Sequence, residues 1–221
     1  MKKVVFTAAL LMIICVSFAQ RFTYGLKAGV NITGAISYNK AANATLAAMG
    51  YPVKDMIFSS RLCAAFHGGA FVNLALGKKW YLQPEVLYSS QQYKLRSHYS
   101  YYDLSGVASL DFDLTCINVP IMMQYRIKPR LYLEAGPQIG FLTKINVKGT
   151  STHFGGQTRD MLSQSNTVEC SLALGLGYQL QKIPLGFYTR ATLGLTNVLT
   201  TKEASYRNYI GQAGIFYQFG K

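Results

Sequence analysis

The chain alternates apolar and polar residues through most of its length, and the alternation is clearest in LYLEAGPQIGFL, from Leu131 to Leu142. Leu131, Leu133, Ala135, Pro137, Ile139 and Phe141 form one row, and Tyr132, Glu134, Gly136, Gln138 and Gly140 form the other. Period two puts successive side chains on opposite faces of a β-strand. Seven more stretches read the same way, at about 22–32, 63–76, 80–93, 110–127, 168–180, 185–195 and 209–219. In the fourth of the eight, Ile117, Val119, Ile121, Met123 and Tyr125 share a row while Phe112 and Leu114 fall in the other phase. That slip predicts a bulge or a change of environment near Thr115. Pro84, Pro120 and Pro137 lie inside strands, where proline cannot donate to the ladder, which predicts a bulge or an unpaired carbonyl beside each.

The connections alternate in length. Thr33 to Leu62, with a short helical turn at Ala41 to Met49, Lys94 to Ser109, Lys144 to Asn166 and Asn197 to Tyr206 read as long loops, while Gly77 to Lys79, Lys128 to Arg130 and Gln181 to Pro184 read as tight turns. Both termini fall at the tight-turn end. This layout predicts an all-β, eight-stranded antiparallel transmembrane up-and-down β-barrel with short periplasmic turns and long external loops.

Alternation alone also suits a soluble barrel with its apolar rows inside. The polar rows decide against that, because they are mostly Gly, Ala, Ser, Thr, Gln and Asn rather than the Lys and Glu of a soluble exterior. Such residues suit the lumen of an eight-stranded barrel, which is just wide enough for side chains to fill. Phe22, Trp80, Tyr125, Tyr178, Phe187 and Tyr217 lie near the short-turn end and predict an interfacial girdle.

Composition narrows the location. Half of the 221 residues are hydrophobic and 14% are charged, yet no stretch after the first twenty residues offers the roughly 20 apolar residues of a spanning helix. Residues 1–19 carry Lys2 and Lys3, an apolar run from Val4 to Phe18 and the small-x-small close Ser17, Phe18, Ala19. This is a secretory signal peptide, leaving Gln20 first and residues 20–221 as the barrel domain. A lipoprotein signal at Cys15 is disfavoured by the bulky Ile14. The expected location is an outer membrane.

The net charge is +13, and removal of Lys2 and Lys3 leaves 20 Lys and Arg against 9 Asp and Glu. Outer-membrane lipids and lipopolysaccharide are the expected partners of such a surface. No nucleic-acid partner is expected, since the basic residues are scattered and lie in no binding motif. Cys63, Cys116 and Cys170 are too few and too widely spaced for a disulfide framework. They read as small apolar strand residues, with one oxidised pair as the alternative.

Several segments resemble the PorT-like, porin-like family of small outer-membrane barrels of Bacteroidetes: YGLKAGVN at Tyr24, LQPEVLYSSQ at Leu82, INVPIMMQYR at Ile117, LYLEAGPQIGFL at Leu131 and YQF at Tyr217. The resemblance implies an eight-stranded antiparallel barrel in the outer membrane of a Gram-negative bacterium, without implying a shared activity. It also brings in the barrel assembly machinery, which reads a terminal aromatic residue; here Gly220 and Lys221 follow Phe219. A role as an accessory of a protein secretion apparatus enters by the same resemblance.

The candidate chemistry lies on the inward rows, where Lys27, Glu85, Glu134 and Arg190 fall at similar heights, with Arg126 slightly lower, and the five predict a charge belt across the lumen. Such a belt either satisfies itself by internal pairing or lines an ion path, as in a narrow porin-like channel. No catalytic residue is assigned: Glu85 and Glu134 would sit beside cations in a filled lumen, and His98, Asp103, His153 and Asp160 have no triad or metal spacing. No cofactor or metal motif is present, and Gly77, Lys78 and Lys79 do not make a phosphate loop. Outside, Arg96, His98, Tyr99, Tyr101 and Tyr102 form an aromatic and basic loop cluster suited to lipopolysaccharide, a glycan or a protein. The expected function is structural or docking, carried by the external loops of a non-enzymatic barrel.

Overall fold

In the computed structural model, the alternating stretches are strands, and every ladder between them is antiparallel. The structure describes residues 22–36, 43, 57, 59–101, 104–152, 155–160, 167–196 and 207–220. The expected signal peptide and nearly all of the expected turn at Ala41 to Met49 lie outside the described residues. No helix among the described residues is long and apolar enough to cross a membrane, which leaves crossing by strands open.

Ten strands are described rather than eight. They are β1 (Phe22–Ile36), β2 (Ser59–Arg61), β3 (Cys63–Ala75), β4 (Trp80–Tyr101), β5 (Leu104–Arg126), β6 (Leu131–Ser151), β7 (Gly155–Asp160), β8 (Val168–Gln179), β9 (Leu185–Gly194) and β10 (Arg207–Phe219). The two additions, β2 and β7, are short: one pairs with β4 and the other with β6. The eight long strands pair in the order β4-β3-β1-β10-β9-β8-β6-β5, and β5 pairs back to β4, so the path returns on itself.

The tight turns form where expected and close with backbone hydrogen bonds, from Leu76 N to Trp80 O at 2.9 Å, Ile127 N to Leu131 O at 3.0 Å and Leu180 N to Leu185 O at 2.9 Å. Two expected loops are mostly strand instead. The stretch from Lys94 to Ser109 is the top of the β4–β5 hairpin, and Lys144 to Asn166 contains the end of β6 and all of β7. Polar composition read as loop because the expected outward row was apolar, whereas here the outward row is charged.

A membrane strand needs about 9–11 residues. β9 has 10, but β4, β5 and β6 have 22, 23 and 21, so about half of each lies beyond that span. In the shorter strands and the lower halves of these three, apolar side chains face outward, among them Leu26, Val86, Ile139, Leu172, Leu174 and Phe187. An exposed apolar surface of this extent marks contact with a partner or lipid. In the upper halves the sign reverses. Tyr93, Leu95, Leu110, Phe112, Leu114, Ile145 and Val147 are buried, and Lys94, Asp113, Lys144 and Lys148 are exposed.

The slip expected near Thr115 is therefore both a bulge and a change of environment. Thr115 pairs with Lys144 and Cys116 with Leu142, leaving Thr143 as the extra residue on β6. Thr143 Oγ1 donates to Thr115 O at 2.9 Å. Because one inserted residue shifts a period-two pattern by half its length, Leu142 and Ile145 both turn inward around two successive exposed residues. β5 keeps its phase throughout, so Phe112 and Leu114 point inward beside Cys116 and Asn118.

The three strand prolines share one seam. Pro84 pairs with Ile121 and Pro120 with Gln138, and at each proline one ladder lapses for two residues without a shift of register. The lapses are at Gln83–Pro84 opposite β3, Glu85–Val86 opposite Val119–Pro120, and Ile121–Met122 opposite Gly136–Pro137. Loss of the proline donor appears as a broken ladder rather than as a bulge.

Candidate functional site

The alternation that turns leucines outward carries Lys27 of β1, Glu85 of β4, Glu134 of β6 and Arg190 of β9 inward, where all four are buried. They meet in one cluster. Arg190 Nη1 and Nη2 donate to Glu85 Oε2 at 3.0 Å and Oε1 at 2.8 Å, a bidentate pair. Arg190 Nε and Nη2 both donate to Glu134 Oε1, at 2.9 and 2.7 Å. Lys27 Nζ reaches Glu85 Oε1 at 2.7 Å.

The four charges cancel, and their side chains are 0–1% exposed. Moving ions from water into such a site costs several kcal/mol each, an expense offset only if the remaining donors and acceptors are filled. Here amides fill them. Gln83 Nε2 donates to Glu85 Oε1 at 2.7 Å and Gln124 Nε2 to Glu134 Oε2 at 3.0 Å. Asn73 Nδ2 in turn donates to Gln83 Oε1 at 2.7 Å and Gln124 Oε1 at 2.8 Å.

Aromatic side chains wall the cluster. Lys27 Nζ lies 4.6 Å from the centre of the Tyr188 ring, and the Tyr188 hydroxyl is hydrogen-bonded to His67 Nε2. Phe71, Tyr132, Tyr188 and Phe216 form one buried group. Glycine makes this fit: a Cβ on Gly177 would fall 2.2 Å from the Tyr132 ring, and one on Gly186 would fall 2.2 Å from that of Phe216. The carboxylates are thus saturated by cations and amides, so the arrangement holds strands together.

Of the five residues expected in the belt, Arg126 is not brought in. It is inward-facing but one rung lower, and Gln124 takes the place beside Glu134. The Arg126 guanidinium instead stacks over the Tyr81 ring at 3.9 Å. It lines a cavity of about 950 Å³ that opens among the tight turns, with Gln124, Tyr132, Arg130 and Lys182 also on its wall.

Missed from sequence were the amides Asn73, Gln83 and Gln124, and the His67–Tyr188 pair. Their inward parity was readable, since Gln83 is two residues from Glu85 and Gln124 two from Arg126. Their partnerships cross between strands and depend on stagger.

The external cluster is changed in kind. Arg96 and His98 are exposed on β4, paired in register with Ser109 and Val107. Tyr99 and Tyr101 belong to the same strand, though their side chains lie outside what the structure describes, as does Tyr102 altogether. Lys94, Asp111 and Lys148 are neighbours across β4, β5 and β6, a row of alternating charge. His98 and Asp160 are exposed, while Asp103 and His153 lie outside the described residues. Cys63, Cys116 and Cys170 are unbridged, the first two buried and the third exposed. Among the described residues, no group of three His, Cys, Asp or Glu is arranged to hold a metal ion.

The family model for an outer membrane protein beta-barrel domain matches residues 18–200. Among solved structures, Neisserial surface protein A is similar at 12% identity with a TM-score of 0.50, covering 90% of this chain and 100% of its own. Ail, the attachment invasion locus protein of Yersinia pestis, is similar at 12% identity and a TM-score of 0.48, with the same coverage. Comparison with curated proteins gives no match. At such identities the structural likeness speaks for the fold alone.

Proposed function

The chain belongs to the outer-membrane protein β-barrel family, and from that premise we propose that it is a sealed, non-enzymatic barrel that docks partners at the cell surface. In this reading residues 1–19 are the export signal, eight strands span the outer membrane, and the tops of β4, β5 and β6 stand outside the lipid. The observation that carries it is the reversal of polarity at Thr143, above which buried Leu95, Leu110 and Val147 back an exterior bearing Lys94, Arg96, Lys144 and Lys148. A sheet with a dry inner face and a charged outer face is built for water.

The cations of that face suit an anionic glycan or the phosphorylated sugars of lipopolysaccharide. The test uses the purified barrel in nanodiscs and a sulfated polysaccharide. Binding should weaken at least fivefold in the Lys94→Gln, Arg96→Gln, Lys148→Gln variant, and unchanged binding would reject the docking surface. A stable large conductance in a planar bilayer would reject the seal. The segments that resemble PorT-like barrels of Bacteroidetes favour a second role, as an accessory of protein secretion. Loss of secreted proteins on deletion, with the envelope intact, would select it.

A further inference from the structure

The end of the barrel opposite the projecting sheet is uniformly basic. Its three tight turns carry Lys78 and Lys79, Lys128 and Arg130, and Lys182. Neither Asp nor Glu occurs at positions 74–82, 125–132 or 179–187. The carboxylates nearest in sequence, Glu85 and Glu134, are already bound to Lys27 and Arg190. Within this ring opens the cavity of about 950 Å³, at the upper end of the size of small-ligand pockets.

Three features of the cavity define what it would hold. Arg126, Arg130 and Lys182 line it, and Arg126 has no ion pair among the described residues, only the face of Tyr81 beneath it. A stacked guanidinium keeps its in-plane N–H donors for a second partner, and a carboxylate or a phosphate matches their planar fork. Gln179 and Gln181 lie on the same wall. Amides both donate and accept, as a peptide backbone requires and a phosphate, which only accepts, does not. Finally, Gln124 and Arg126 reach the cavity from the inward face of β5, inside the ring of strands. Lipid around the barrel meets the outer row instead, where Lys79 lies over Tyr125.

We propose that this vestibule docks an acidic peptide segment of a periplasmic protein, its carboxylates held by Arg126, Arg130 and Lys182 and its backbone by the glutamines. The name of the compartment rests on the orientation given above, but the binding chemistry does not. A partner held here and another held on the projecting sheet would be joined through one rigid barrel.

The test measures fluorescence anisotropy of fluorescein-labelled hexaglutamate with the full barrel in phosphatidylcholine nanodiscs. Hexaglutamate should bind saturably, and at least tenfold more tightly than labelled hexaglutamine. Arg126→Gln with Lys182→Gln should weaken it at least tenfold, while Lys79→Gln, on the outer row, should leave it within twofold. Retention of the heat-dependent gel shift shows that each variant is folded, and Arg130→Gln, in an exposed turn, gives an independent loss of at least threefold. No binding, or equal binding by wild type and the double variant, overturns the proposal. Loss of hexaglutamate binding when the discs contain phosphatidylglycerol also overturns it, assigning the site to lipid headgroups. Failure here leaves the external surface untouched, because polysaccharide binding is read on variants at the opposite end.

Discussion

The lower and upper halves of β4, β5 and β6 alternate alike and yet are opposites. Below Thr143 the inward rows hold Glu85, Gln124 and Glu134, facing Lys27 of β1 and Arg190 of β9, while leucine, isoleucine and phenylalanine face out; above it the inward rows hold Leu95, Leu110, Ile145 and Val147 while lysine and aspartate face out. Period two makes a strand in either case. Which row is apolar reports only what surrounds the strand, and in the proposed reading lipid lies below and water above, with the crossing point as the membrane surface.

The largest test of this contrast is the double substitution Ile145→Ser with Val147→Ser. Both side chains are buried above the bulge and face inward. Losing that apolar burial costs about 3–6 kcal/mol at about 1.5–3 kcal/mol each. The expected result is rapid proteolysis of the β4–β5 and β6–β7 hairpins with the heat-dependent gel shift preserved. Loss of both together would show that the halves do not fold separately.

Next in size is Arg190→Ala. It leaves two buried carboxylates with only Lys27 between them, and breaking a buried ion pair from one side costs about 3–5 kcal/mol. Urea unfolding in lipid vesicles reads this as a lowered midpoint. Apolar replacement of Lys27, Glu85, Glu134 and Arg190 together should restore most of it, since well-packed apolar groups often equal a buried ionic set.

The outward faces separate the halves again with smaller effects. Leu172→Arg, on the lipid-facing row, should cost about 2–4 kcal/mol near the bilayer centre. Lys148→Leu, on the projecting sheet, should change stability by no more than about 0.5 kcal/mol. If the two substitutions cost the same, by the same unfolding assay, then both surfaces meet the same solvent and the contrast fails.

Much of this was legible from residue order. The parity of Lys27, Glu85, Glu134 and Arg190 placed them inside, and their distance from the tight turns placed them together. Arg126 counted slightly lower and was included in the belt all the same; measured from the Lys128–Arg130 turn, it is Gln124 that stands level with Glu134. The projecting strands were read as loops for a different reason. Tyr93, Leu95 and Ser97 alternate with Lys94, Arg96 and His98 as regularly as any membrane strand, but with the sign that an outward apolar row would forbid. The bulge showed itself through Phe112 and Leu114, yet on the wrong strand, since the inserted residue lies on the partner.

The proline seam gives the ion cluster a mechanical meaning. Where Pro84, Pro120 and Pro137 interrupt the ladders, β3, β4, β5 and β6 each lose two residues of pairing to a neighbour, and unpaired backbone in hydrocarbon is costly. Left to itself, a cylinder splits along such a line. Glu85 stands on β4 at one side of the seam and Glu134 on β6 at the other, and Arg190 grips both from β9 across the bore. One side chain thus acts as a tie rod, pulling the strands on either side of the proline lapses toward a common anchor, so that the wall resists opening sideways into the bilayer where its own ladders are interrupted.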